Sequence, residues 1–209
     1  MGEAAMRLKT ILKEGESELL RSLGIRGDYR RISDTIRTTW GDEVDFLAFV
    51  EEPYGRPFIA HVETQTSRDP EMTNRMLARY AAIWRWAAER REFKDAYIRP
   101  TVLYFGSARW KPKTVIDEFN LRFEHGFISA GDIDPGPLLE SGNLGDAVFS
   151  VLCRGGKRPG VVRRAIERIA AAPPDERFQA TAALIALSDL RGIGDAVRSK
   201  TSISSGSRC

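Results

Sequence analysis

Two apolar, strand-favouring stretches joined by a turn constrain this chain more than any other feature. Val44 to Glu51 is rich in Val, Phe and Leu, and Pro57 to Thr66 carries Phe58, Ile59 and Val62. Between them, Glu52-Pro53-Tyr54-Gly55-Arg56 is a turn signal. Antiparallel pairing centred on Tyr54 sets Asp45 opposite Glu63, Glu43 opposite Gln65 and Leu47 opposite His61. Side chains on a strand alternate faces with period two, so all six share one face with Phe49. Two carboxylates directly opposite each other repel. The pair is tolerated where a cation sits between them or where one is protonated. A slip of one residue would separate them. Leu47 and Phe49 make the same face apolar nearer the turn, which puts the carboxylates at the edge of a covered face.

The flanking sequence supplies helices and further strands. Leu8 to Leu23 has helical apolar spacing and ends at Gly24. Arg26 to Asp34 reads as polar and irregular. Asp69-Pro70-Glu71 opens a long helix running to about Glu92. Its apolar face is read as Met72, Met76, Tyr80, Ile83, Trp84 and Ala87. Arg75, Arg79 and Trp86 are read on the other side, with Arg90 nearby. Ile98 to Phe105 is a continuous apolar run, the pattern of a buried strand closed by Gly106, and Asn120 to Ser129 is a further strand candidate. Helices follow over Leu144–Cys153, Gly160–Ala171 and Asp175–Leu190. The order helix, strand, strand, helix, strand predicts a mixed α/β (α+β) core. The expected division is a core over 1–135, a helical appendage over 140–192 and a disordered tail over 193–209, because the last ten residues are Ser-rich and short of apolar groups.

Composition narrows the function classes. With 209 residues and 42% hydrophobic content, the chain can bury a sizeable core. A net charge of +3 permits a polyanionic partner without requiring one. Cys153 and Cys209 lack the spacing of a zinc site and are too few for a disulfide scaffold. Cys153 reads as a small core residue. No apolar stretch reaches membrane-spanning length and the N-terminus lacks a signal-peptide pattern, so a cytoplasmic protein without membrane contact is expected. There is no P-loop and no G-x-S-x-G elbow. His61 and His125 are the only histidines; His61 reads as a packed side chain, with a supporting role at Glu63 open to it. Arg75, Arg79 and Trp86 interleave basic groups with an aromatic, which can track a nucleic-acid backbone and stack on bases.

The run Phe58-Ile-Ala-His-Val-Glu63-Thr-Gln65, with the following helix bearing Arg75-Met-Leu-Ala-Arg-Tyr80 and the strand Pro100-Thr-Val-Leu-Tyr-Phe-Gly106 before Trp110, resembles the PD-(D/E)XK nuclease superfamily. Within it the run is similar to the recombination-promoting nuclease and transposase-like families. The resemblance spans about Val44 to Trp110. It implies a restriction-endonuclease-like core carrying the C-terminal helical appendage. It implies that Asp45 and Glu63 bind Mg²⁺ or Mn²⁺, with Gln65 standing where the superfamily usually has lysine. Asp42, Glu43 and Asp45 all remain open for the first acid; strand alternation favours Asp45, with Glu43 second. The implied activity is metal-dependent DNA endonuclease hydrolysis of phosphodiester bonds, linked to recombination or mobile DNA. The alternative is a catalytically inactive nuclease-fold protein that binds nucleic acid or a partner. The oligomeric state is open, a homodimer included.

Overall fold

A computed structural model describes residues 17–26, 28–32, 36–37 and 43–205. Asp42, Cys209 and the larger part of the Leu8–Leu23 segment lie outside the described residues. The chain divides into two compact units: Leu23–Ile128, and Met1–Ser22 together with Ser129–Cys209.

The first unit is built on a sheet. Its strands are β1 (Asp28–Arg31), β2 (Phe46–Glu51), β3 (Phe58–Gln65), β4 (Tyr97–Tyr104) and β7 (Gly126–Ser129), in the spatial order β1-β2-β3-β4-β7. β1 and β2 are antiparallel, as are β2 and β3, whereas β3 and β4 are parallel. The hairpin register is the expected one: Leu47 faces His61 and Phe46 faces Val62. Parallel neighbours need a crossover, and the helix between β3 and β4 supplies it over Met72–Ala88. A separate two-stranded hairpin joins β5 (Val115–Glu118) to β6 (Leu121–Glu124). The segment expected as one strand over Asn120–Ser129 is therefore two strands, broken at His125.

β1 falls where an irregular segment was expected. Its sequence, Asp-Tyr-Arg-Arg, has no apolar alternation, and its burial alternates only between exposed and half-buried. It occupies the sheet edge, where a strand needs a ladder partner but little core area.

The crossover helix packs on the face of the sheet that carries Leu47 and Ile59. Ile83 and Ala87 join those residues with Ile32, Ile36, Phe93 and Ile98 in one apolar cluster. Met72 and Met76 meet Val102 and Phe123 in a second, against which Trp110 and Phe127 rest. Glu63 and His61 lie on this same covered face, between the two clusters in sequence register.

The second unit is helical. It contains α1 (Glu18–Ser22) and, with the crossover helix counted as α2, continues with α3 (Pro135–Glu140), α4 (Leu144–Phe149), α5 (Pro159–Ala170), α6 (Pro174–Asp189) and α7 (Gly194–Ser205). The described residues 17–22 belong to this unit, and a buried carboxylate shows why. Asp146 accepts hydrogen bonds from the Ser17 hydroxyl (2.5 Å), the Glu18 amide (2.7 Å) and the Leu19 amide (3.2 Å). It thereby caps the amides that α1 leaves unbonded at its start. This is a contact between residues far apart in sequence, which no local pattern announces. In the stretch 193–209, expected to be unstructured, Gly194–Ser205 is helical. Val197 is fully buried there, one apolar anchor in a segment otherwise poor in them. Cys153 is buried as expected, and burial pushes its thiol up to about 12.

Candidate functional site

The carboxyl end of β3 concentrates the polar chemistry of the sheet unit. Glu63 is 2% exposed, His61 is fully buried and Arg79 is 4% exposed. Glu63 Oε1 lies 2.8 Å from His61 Nε2 and 3.3 Å from Arg79 Nε, and it accepts the Asp45 backbone N–H at 3.2 Å. A carboxylate only accepts, so His61 carries its proton on Nε2, and its Nδ1 is left buried without a hydrogen-bond partner. Asp45 is held from the next residue along. Its Oδ2 accepts from the Thr64 amide at 3.0 Å and the Thr64 hydroxyl at 2.6 Å.

The repulsion expected between facing carboxylates is therefore relieved within the protein. Arg79 supplies a cation at Glu63, and Thr64 supplies two donors at Asp45. Burying such a pair is tolerable only with a charge partner and satisfied hydrogen bonds. Asp45 is brought beside Glu63 as the hairpin register requires. Glu43 is not: it forms a bridge with Arg37, and its carboxylate pairs with the Arg37 guanidinium at 2.8 Å on the surface. Gln65 is half-buried, two residues beyond Glu63 on the same strand face. Its carbonyl accepts the Phe105 amide at 3.0 Å, which ties the ends of β3 and β4 together.

The basic track expected along α2 is not formed as read from sequence. Arg79 points into the interior and pairs with Glu63, so it cannot lie along a nucleic-acid backbone. Trp86 is half-buried, stacks near Phe93 at 4.9 Å between ring centres, and is covered by the Arg90 guanidinium at 4.4 Å. Trp84, placed on the apolar face by sequence, is 61% exposed. Helical geometry accounts for all three. At about 100° per residue, Arg79 and Trp86 lie only about 40° and 60° from the direction of Ile83, while Trp84 lies about 100° away. An arginine on the same stripe as Met72, Met76 and Ile83, facing a strand that bears a glutamate, was the signal for the buried pair. Arg75 is half-exposed and bound to Asp69 at 2.5 Å. The same Asp69 accepts the Glu71 amide at 2.9 Å, so the pair fixes the start of α2.

For a metal, the donors at hand are two carboxylates. Among the described residues no group of three or more His, Cys, Asp or Glu side chains converges. Two carboxylate ligands suit Mg²⁺, which keeps several waters and is bound through one or two such groups. The donor chemistry fits a hard dication, and Arg79 offsets part of the charge that would attract it.

His125 completes the buried polar set. It is 3% exposed, its Nδ1 lies 2.9 Å from the Gly126 carbonyl, and its Nε2 lies 3.4 Å from the Thr73 hydroxyl. Burial is the main force lowering its pKa from the ordinary 6.5, and His61 adds to it; the Gly126 bond and Glu124 act in the opposite sense. A histidine lowered on folding stays neutral in the native state while the unfolded chain takes up a proton. Its contribution is present above about pH 6.5 and is lost as pH falls from there towards the lowered value. The melting temperature should therefore drop more steeply below pH 6.5 in the wild type than in His125→Asn. Parallel profiles would show that His125 does not carry this dependence.

No protein-family model, curated protein or solved structure matches this chain. No described helix is long and apolar enough to cross a membrane.

Proposed function

We propose that this chain is a metal-dependent DNA endonuclease with a restriction-endonuclease-like core, acting in the cytoplasm near recombination or mobile DNA. The observation that carries the reading is the Asp45–Glu63 juxtaposition at the mouth of an antiparallel hairpin. That hairpin is followed by a helix and a strand parallel to β3, with Gln65 next on the same face. This arrangement accords with the order of motifs from which the resemblance was drawn.

Within this reading, Asp45 and Glu63 would hold Mg²⁺ or Mn²⁺. The ion would supply an activated water and neutralise charge on the phosphate. His61 and Arg79 fix the Glu63 carboxylate in place. Thr64 does the same for Asp45. Gln65, with an amide that both donates and accepts, would orient the attacking water.

A second reading, a nuclease-fold protein that binds without cleaving, is favoured by the Arg79–Glu63 pair. A guanidinium 3.3 Å from a would-be ligand oxygen competes with a dication, and glutamine lacks the charge a lysine would bring to the phosphate.

Titration calorimetry with Mn²⁺ and a plasmid-nicking assay with Mg²⁺ or Mn²⁺ test both readings. Wild-type protein is expected to show Mn²⁺ heat and to nick, whereas Glu63→Ala shows neither. Metal binding without nicking would favour the second reading. Equal Mn²⁺ heat in wild type and Glu63→Ala would remove Glu63 from the site.

A further inference from the structure

The chain leaving β4 and the turn leaving β3 lie side by side immediately beyond Gln65 and Tyr104, which are register partners. These two segments, residues 66–68 and 106–114, carry Arg68, Arg109, Lys111 and Lys113 and no carboxylate. All four side chains are exposed. None is among the ion pairs of the described residues, whereas Arg30, Arg37, Arg75, Arg79, Arg99 and Arg122 of the sheet unit each meet a carboxylate. Four like charges held close together repel one another and favour an anionic partner.

The segment that bears them is fastened at several points. The Tyr104 hydroxyl donates to the Ala108 carbonyl at 2.7 Å, and Arg68 Nη2 donates to the Arg109 carbonyl at 2.8 Å. The Thr73 hydroxyl donates to the Lys113 carbonyl at 2.5 Å, and the His125 amide to the Thr114 carbonyl at 3.1 Å. Trp110 sits edge-on against Tyr104 and Phe127, with ring centres 5.1 and 5.4 Å away. Gly106 lets the two segments close up: a Cβ there would stand 2.1 Å from the Thr66 carbonyl oxygen. A backbone fastened in this way spares the backbone share of the ordering cost when these cations bind a partner.

We propose that Arg68, Arg109, Lys111 and Lys113 form a phosphate-binding collar that holds the nucleic-acid backbone beside Asp45, Glu63 and Gln65. The inference rests on the nucleic-acid reading above. It moves the backbone contacts from α2 to the segments that follow β3 and β4. The Thr73 hydroxyl then acts as a fastener of the collar, which gives that buried group a purpose beyond packing.

Fluorescence anisotropy with a short labelled duplex DNA, across a salt series, is the test. Wild-type binding should weaken steeply with salt. Lys111→Ala with Lys113→Ala should flatten the log–log slope by about 1.8, at about 0.9 per phosphate contact. Arg154→Ala with Lys157→Ala, which removes the same charge from exposed positions in the helical unit, should leave the slope within error of wild type. All four target side chains are exposed, so the variants should keep the wild-type melting temperature. Equal flattening in the two double variants would mean diffuse attraction and overturn the collar, leaving the DNA reading intact. An unchanged slope in the Lys111/Lys113 variant would overturn it in the same way. No binding by the wild type at low salt would overturn the collar and the DNA reading together.

Discussion

Gln65→Ala is expected to lose about 100-fold in strand-cleavage rate while keeping its affinity for Mn²⁺. Gln65 sits at the end of β3, half-buried, and its backbone is fixed by the bond from the Phe105 amide. The side chain projects on the Glu63 face, so its amide is aimed without help from a mobile loop. Misplacing a reacting group by about 1 Å can cost ~100-fold, and Ala removes the group that would do the placing. The metal-binding carboxylates are untouched, so calorimetry should read the same heat as in the wild type. Gln65→Lys is expected to keep or raise the rate, because an ammonium adds the electrostatic term an amide lacks. If Gln65→Ala cleaves at the wild-type rate, this residue has no role in the reaction. If no variant cleaves while all bind DNA, the non-catalytic reading stands.

Arg79→Met should be strongly destabilising, at about 3–5 kcal/mol of unfolding free energy. Both partners of the Arg79–Glu63 pair are almost wholly buried. Methionine fills much of the stem volume but leaves the carboxylate in the interior with only His61 and the Asp45 amide. The cost is that of an uncompensated buried charge rather than of a lost attraction. Replacing the whole pair, Arg79→Met with Glu63→Leu, should therefore recover much of the loss, since apolar substitutes for buried ion pairs are often neutral or better. Urea denaturation of the single and double variants reads both effects. A loss below about 1 kcal/mol for Arg79→Met would put the pair in the class of solvated surface bridges, contrary to its burial.

Much of the sheet unit was legible because its signals are local. The turn at Pro53–Gly55 and the alternation on either side were enough to set the hairpin register, and the register alone brought Asp45 to Glu63. The β4 run was legible from continuous apolar character. β1 was not, because an edge strand of Asp-Tyr-Arg-Arg draws its structure from the neighbouring ladder and not from its own pattern. The collar escaped notice for a related reason. Its cations come from two segments about forty residues apart that meet only because β3 and β4 are parallel neighbours. In sequence each is an ordinary polar stretch.

The amino-acid sequence by itself determined which residues could share a strand face, since the period-two alternation of a strand admits little else once the turn is placed. It also determined that a long helix opening at Asp69-Pro70-Glu71 would separate β3 from β4, although the helix formed, Met72–Ala88, stops short of the expected end near Glu92. Only the tertiary structure decided what that helix brings to the face beneath it. Whether Arg79 meets solvent or Glu63 depends on the helix's rotation about its axis, which the packing of Met76, Ile83 and Ala87 against the sheet sets to within tens of degrees. The same holds for Asp146 and the amides of α1. Pairings of this kind join elements far apart along the chain, and their energy comes from burial, which no local pattern contains.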